Sequence, residues 1–221
     1  MVVLDDPRSA PSAMAAPHAR AAPTMTPDDA LKRLVEGNQR FTAGNLRHNQ
    51  ISQERLASLA AQQAPFAAVL GCADSRVPPE LVFDQSFGDL FVLRLAGNVF
   101  VPSVAGSLQY AHLHLGVSVL VVLGHEGCGA VSAALACKFQ QVEHPAYIQG
   151  LVQLIEPALT EIDPKQPAKD QLAAAVEANV RWTVEQMLRT PEMQRALAEK
   201  RDIRIVGAVY ELATGKVRWL K

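Results

Sequence analysis

Residues 117–124 read VSVLVVLG, and no other stretch limits the fold as tightly. The run has the length of a strand, is rich in β-branched residues and lacks an alternating polar face. A strand built from it must therefore be covered on both sides, the environment of a parallel sheet with helices on each face. Two more strands are expected, in PFAAVLGCAD (65–74) and in FGDLFVLRLAGN (87–98), the latter stopped by Gly97 and Asn98. SVAGSLQYAHLHLG (103–116) reads as a helix, as does QLAAAVEANVRWTVEQMLR (171–189). A strand RIVGAVYEL (204–212), a turn at Ala213-Thr214-Gly215 and a short final strand in KVRWL follow. Strands alternating with helices need crossover connections, so the expected fold is α/β, with a mostly parallel central sheet flanked by helices. No internal repeat is present.

Near the amino end, TPDDALKRLVEGNQRF carries the marks of an amphipathic helix. Thr26 suits the N-cap, Pro27 the first helical position and Asp28 and Asp29 the first turn, while Leu31, Leu34 and Val35 share a face. SQERLASLAAQQ (52–63) predicts a second helix. Residues 1–25, rich in Ala and Pro and without periodicity, read as a disordered tail; residues 26–221 read as one domain. Two early aspartates argue against a signal peptide, although an export signal stays open if the true start lies elsewhere.

With 221 residues, 49% of them hydrophobic and 19% charged, one substantial core is expected. A net charge of -1 gives no basic field for nucleic acid or an acidic membrane surface, and no apolar run is long enough to span a bilayer. Three cysteines make no disulfide framework, and the odd count favours a reducing compartment, the cytoplasm.

The chemistry gathers in two short segments, GCADSR at 71–76 and GHEGCG at 124–129. Each follows a buried strand, so both should emerge at the same edge of one parallel sheet, where ligands collect. Cys72, His125 and Cys128 supply two thiolates and an imidazole, a donor set that suits zinc. Three protein ligands would leave one tetrahedral position open, as in a catalytic site. A cysteine at a strand end can equally be a small buried hydrophobe, and the H-x-x-C spacing alone does not decide. The polar residues Asp74, Ser75 and Arg76, placed directly after an apolar strand, tip the balance towards a site.

Taken together, CADSR at 72–76, QYA at 109–111 and VVLGHEGCG at 121–129 resemble the β-class carbonic anhydrases. The resemblance runs from about Thr26 to the carboxyl end and takes in R-x-A-G-N at 94–98 and the terminal G-K-V. It implies reversible hydration of carbon dioxide to bicarbonate and a proton by a zinc-bound hydroxide, with one zinc per chain on Cys72, His125 and Cys128. By the same resemblance Asp74 and Arg76 form the catalytic aspartate-arginine dyad, and Gln63 donates to substrate or bicarbonate. Phe91 and Tyr110 line an apolar pocket across a subunit interface, and Gly129 turns a backbone amide towards the anion. The long first helix packs on a partner subunit, so a homodimer or a dimer of dimers is implied. One bacterial subgroup with an inhibitory bicarbonate pocket has Trp three residues before the first cysteine; Val69 stands here, which speaks against that regulation.

Two other functions fit the same residues: hydrolysis of carbon disulfide or carbonyl sulfide, and a noncatalytic zinc or redox module with a Cys72–Cys128 disulfide. His112 and His114, two apart on a helix, face differently and are expected to be structural or surface residues, and Cys137 a packed helix residue.

Overall fold

In the computed structural model, residues 25–47 and 52–221 are described, so the proposed tail lies outside the described residues except for Met25. Five strands form one sheet in the order β2-β1-β3-β4-β5. They are β1 (Ala67–Gly71), β2 (Leu90–Arg94), β3 (Val119–His125), β4 (Arg204–Tyr210) and β5 (Val217–Trp219). The first four run parallel; β5 returns antiparallel to β4 through the turn at 213–215, so the sheet is mostly parallel, as expected. Helices α1 (Pro27–Thr42), α2 (Gln53–Ala61), α3 (Pro79–Val82), α4 (Pro102–Leu115), α5 (Gly129–Gln140), α6 (Ala146–Ile155), α7 (Ala168–Leu188) and α8 (Pro191–Ala198) complete it.

Every residue of β3 is buried, because the strand lies at the centre of the sheet with helices on both faces. Its side chains alternate between two cores, as the period of two requires. Leu120 and Val122, with Ala68 and Leu70 of β1, pack with the α4–α7 side. Val119, Val121 and Leu123, with Ala67 and Val69, pack with Ala30 and Leu34 of α1 and with Val82 of α3. By contrast β2, at the edge, is only half-buried.

The α7 face is seated by two glycines. A Cβ on Gly124 would lie 2.5 Å from Cγ2 of Val180, and one on Gly207 would lie 2.8 Å from Cγ1 of the same residue. The isopropyl group of Val180 thus fills the space these glycines leave on adjacent strands, which draws α7 close to the strand that ends in His125. On the other face Thr26 caps α1 by accepting from the Asp29 amide, and buried Asn38 donates to the carbonyls of Val82 and Gly215 and accepts from the Val217 amide. That one side chain ties α1 to α3 and to the terminal hairpin.

Candidate active site

Because β1 and β3 are parallel neighbours with Gly71 beside Leu123, the turns that follow them open at the same level. Cys72 comes immediately after β1, His125 is the last residue of β3, and Cys128 caps α5. Gly127, at φ 64°, allows the chain to reverse between His125 and Cys128 within two residues. The three side chains are 4%, 0% and 1% exposed, in the order Cys72, His125, Cys128. Their ligand atoms all lie within 4.8 Å of one another.

The His125 ring is oriented by its own neighbour. Nδ1 lies 2.8 Å from the Glu126 carbonyl, so this nitrogen carries the proton and donates. Nε2 is buried, has no hydrogen-bond partner among the described residues and lies within 4.8 Å of both sulfurs. The sulfurs are 4.0 Å apart. Two thiolates at about 2.3 Å from a tetrahedral zinc lie roughly 3.8 Å from each other, so the spacing fits such an ion with little movement. The hydrogen bond from Cys128 holds the Cys72 thiol below its ordinary pKa against the burial that opposes it, with the Gly97 amide adding to it, while the Cys72 thiolate and burial push Cys128 up. Burial opposes charge on His125, but the Cys72 thiolate outweighs it and raises the imidazole pKa. Binding of a divalent cation to such a cluster is coupled to the loss of thiol protons.

Asp74 stands at the rim, with Oδ2 at 3.8 Å from His125 Nε2. Arg76 grips it with three bonds: Nε and the backbone amide to Oδ1 at 2.9 and 3.0 Å, and a terminal nitrogen to Oδ2 at 2.7 Å. This paired contact holds the Asp74 carboxyl well below the usual carboxylate range, so the group is an acceptor throughout the physiological range. Arg94, in the sequence only part of a motif, donates to the backbone carbonyls of Cys72 (3.0 Å) and Asp74 and so fixes the turn that carries both.

The remaining residues singled out in the sequence are spread over the end of α2, β2, α4 and α5. Gln63 is exposed just beyond the end of α2, and Gly129 is exposed at the first position of α5. Phe91 on β2 and Tyr110 on α4 have ring centroids 6.4 Å apart, and the exposed Tyr110 ring also lies 5.0 Å from that of His114, tilted against it. His112 is buried and bonds through Nδ1 to the Val117 carbonyl, a structural histidine. Cys137 is half-buried on α5 and donates to the Val142 carbonyl.

A carbonic anhydrase family model matches residues 67–217, which include every residue of the thiolate-imidazole cluster and the dyad. The chain belongs to the β-class carbonic anhydrases. Carbonic anhydrase 2 of Mycobacterium tuberculosis is 39% identical over 197 residues, covering 88% of this chain and 93% of that protein. The carbonic anhydrase of Pseudomonas aeruginosa is 36% identical over 169 residues, covering 72% and 75%. Among solved structures, the Coccomyxa β-carbonic anhydrase in complex with acetazolamide superposes with a TM-score of 0.68 at 29% identity, covering 74% of this chain and 75% of that one. This carbonic anhydrase interconverts carbon dioxide and water with bicarbonate and a proton. Its Cys72, His125 and Cys128 can hold a metal ion, and no helix among the described residues is long and apolar enough to cross a membrane.

Proposed function

We propose that this carbonic anhydrase carries one zinc ion per chain on Cys72 Sγ, His125 Nε2 and Cys128 Sγ, and that Asp74 and Arg76 act beside it. The observation that carries the reading is the buried, unpartnered Nε2 of His125, on a ring oriented by the Glu126 carbonyl and within 4.8 Å of two sulfurs 4.0 Å apart. That separation, with both cysteines free, favours shared ligation over a redox disulfide. Zinc supplies a Lewis acid that lowers the pKa of water towards neutrality.

The chain's own residues do the rest. The Asp74 carboxylate accepts a hydrogen bond from the attacking water and so points an oxygen lone pair at the carbon of CO2. Arg76 holds both carboxylate oxygens and keeps Asp74 from turning in to become a ligand itself. The pocket walls are Phe91 and Tyr110, the Gly129 amide faces the developing bicarbonate, and Gln63 donates to it. The half-exposed edge at β2 and the exposed ring of Tyr110 support a site completed by a second copy of the chain, in a homodimer or dimer of dimers in which α1 packs on the partner. Residues 26–221 form the catalytic domain, residues 1–25 are dispensable for catalysis, and the free thiols suit the cytoplasm.

Stopped-flow CO2 hydration on the purified protein, before and after chelation, tests the reading. Activity should fall with metal content and return with zinc. Full activity in metal-free protein would refute it.

A further inference from the structure

The segment Arg94–Asn98 lies against the cysteine turn and is bonded to it repeatedly. Leu95 exchanges backbone bonds with Gly71 and Ala73, Arg94 holds two carbonyls of the turn, and the Gly97 amide donates to Cys72 Sγ at 3.4 Å. Gly97 and Asn98 both adopt left-handed backbone, at φ 69° and 45°. Two such residues in succession are unfavourable, the more so when the second is not glycine, so something must hold them.

That hold comes from α7. Asn179 Nδ2 donates to the Gly97 carbonyl at 2.8 Å, and Thr183 Oγ1 donates to the Asn98 carbonyl at 3.3 Å. Both side chains are 1% exposed. A buried amide among apolar helix residues costs free energy unless it meets a specific need. The carbonyl of Gly97 is such a need: glycine rotates freely, so its N–H points reliably at a sulfur only if the next peptide plane is fixed as well. A side chain is excluded at this position, since a Cβ on Gly97 would lie 2.7 Å from Ile155 Cδ1 and 3.2 Å from Ala130 Cβ.

We propose that Asn179 is a positioning residue for the metal centre: through the Gly97 carbonyl it fixes the N–H···S bond to Cys72 and so sets how firmly that thiolate holds the metal. The inference rests on the reading of Cys72 as a ligand. An amide hydrogen bond draws charge from a thiolate in a centre that already carries two, orients the sulfur, and lowers the cost of burying the anion. Helix α7 is thereby part of the metal site although none of its residues is a ligand.

Cadmium-113 loaded into the full-length protein gives the test, because a proton hydrogen-bonded to a ligating sulfur couples to the metal across the bond. In the native protein the Gly97 amide should correlate with cadmium, as should the β-protons of Cys72 and Cys128. In Asn179→Leu the Gly97 correlation should vanish while the cysteine correlations remain, and a chelator should remove cadmium with affinity weakened about tenfold or more. Asn179→Ser, too short to reach the carbonyl, should behave alike and serves if the leucine variant does not fold. Val180→Ala, on the same buried helix face, should lower the melting temperature yet keep the Gly97 correlation and the affinity. Persistence of that correlation with unchanged affinity in both Asn179 variants would overturn the proposal, as would an equal loss in Val180→Ala. Absence of any cysteine correlation in the native protein would instead overturn the ligand reading itself, and this inference with it.

Discussion

Introducing a methyl group at Gly124 tests whether the glycine ahead of His125 is there to admit α7. Its Cβ would sit 2.5 Å from Val180 Cγ2, with Val176 Cγ1 at 3.5 Å and the Ala208 carbonyl at 3.8 Å. Carbon atoms pack best at about 3.5–4.0 Å, so roughly 1 Å of movement is forced on a contact buried between helix and sheet. Overpacking of this kind costs about 1–3 kcal/mol, offset by about 0.5–1 kcal/mol because alanine loses less chain entropy than glycine. Val180→Ala alone should cost about 2–3 kcal/mol through lost burial and the void it leaves. Combining them removes the clash, so the double variant should be more stable than the sum of the singles predicts, by about 1–2 kcal/mol. Urea unfolding followed by the fluorescence of Trp182 and Trp219, at fixed protomer and zinc concentration, measures all four corners of the cycle. Additivity within about 0.5 kcal/mol would refute the steric argument.

Other consequences can be measured directly. Cys72→Ser, His125→Ala and Cys128→Ser should each lower zinc content on elemental analysis and abolish CO2 hydration, whereas Cys137→Ser, outside the cluster, should do neither. Arg76→Ala should retain zinc yet lose most activity, with an added carboxylate oxygen on the metal in its crystal structure that disappears in the Asp74→Ala double variant. Solvent in that position in an inactive Arg76→Ala protein would remove the restraining role from Arg76. Asn38→Ala, which breaks two buried bonds and one part-buried bond between α1, α3 and the terminal hairpin, should destabilise the protein by about 2–4 kcal/mol in denaturant titration.

The central architecture was legible because β3 advertises its own burial: a strand with no polar face fits only between two layers of helices. The site was legible for a related reason, since both polar turns follow apolar strands and parallel order brings such turns to one edge. Edge and interior were harder to tell apart. LFVLR of β2 is nearly as apolar as β1 but lies half-buried at the sheet margin, because pairing order is not written in any local pattern. The same limit hid Asn179 and Gly124. Asn179 bonds to a carbonyl 82 positions away, and Gly124 makes room for a valine on a distant helix, so neither role has a local signature. For Phe91 and Tyr110 the sequence suggested pocket walls through family resemblance, and the fold adds that the two rings meet.

The most direct measurement is zinc K-edge X-ray absorption on the purified enzyme. Two sulfur scatterers at about 2.3 Å and one imidazole nitrogen at about 2.0–2.1 Å, with a single further light atom, are the outcome the account predicts. A metal surrounded only by nitrogen and oxygen, or active protein with no zinc at all, would contradict it.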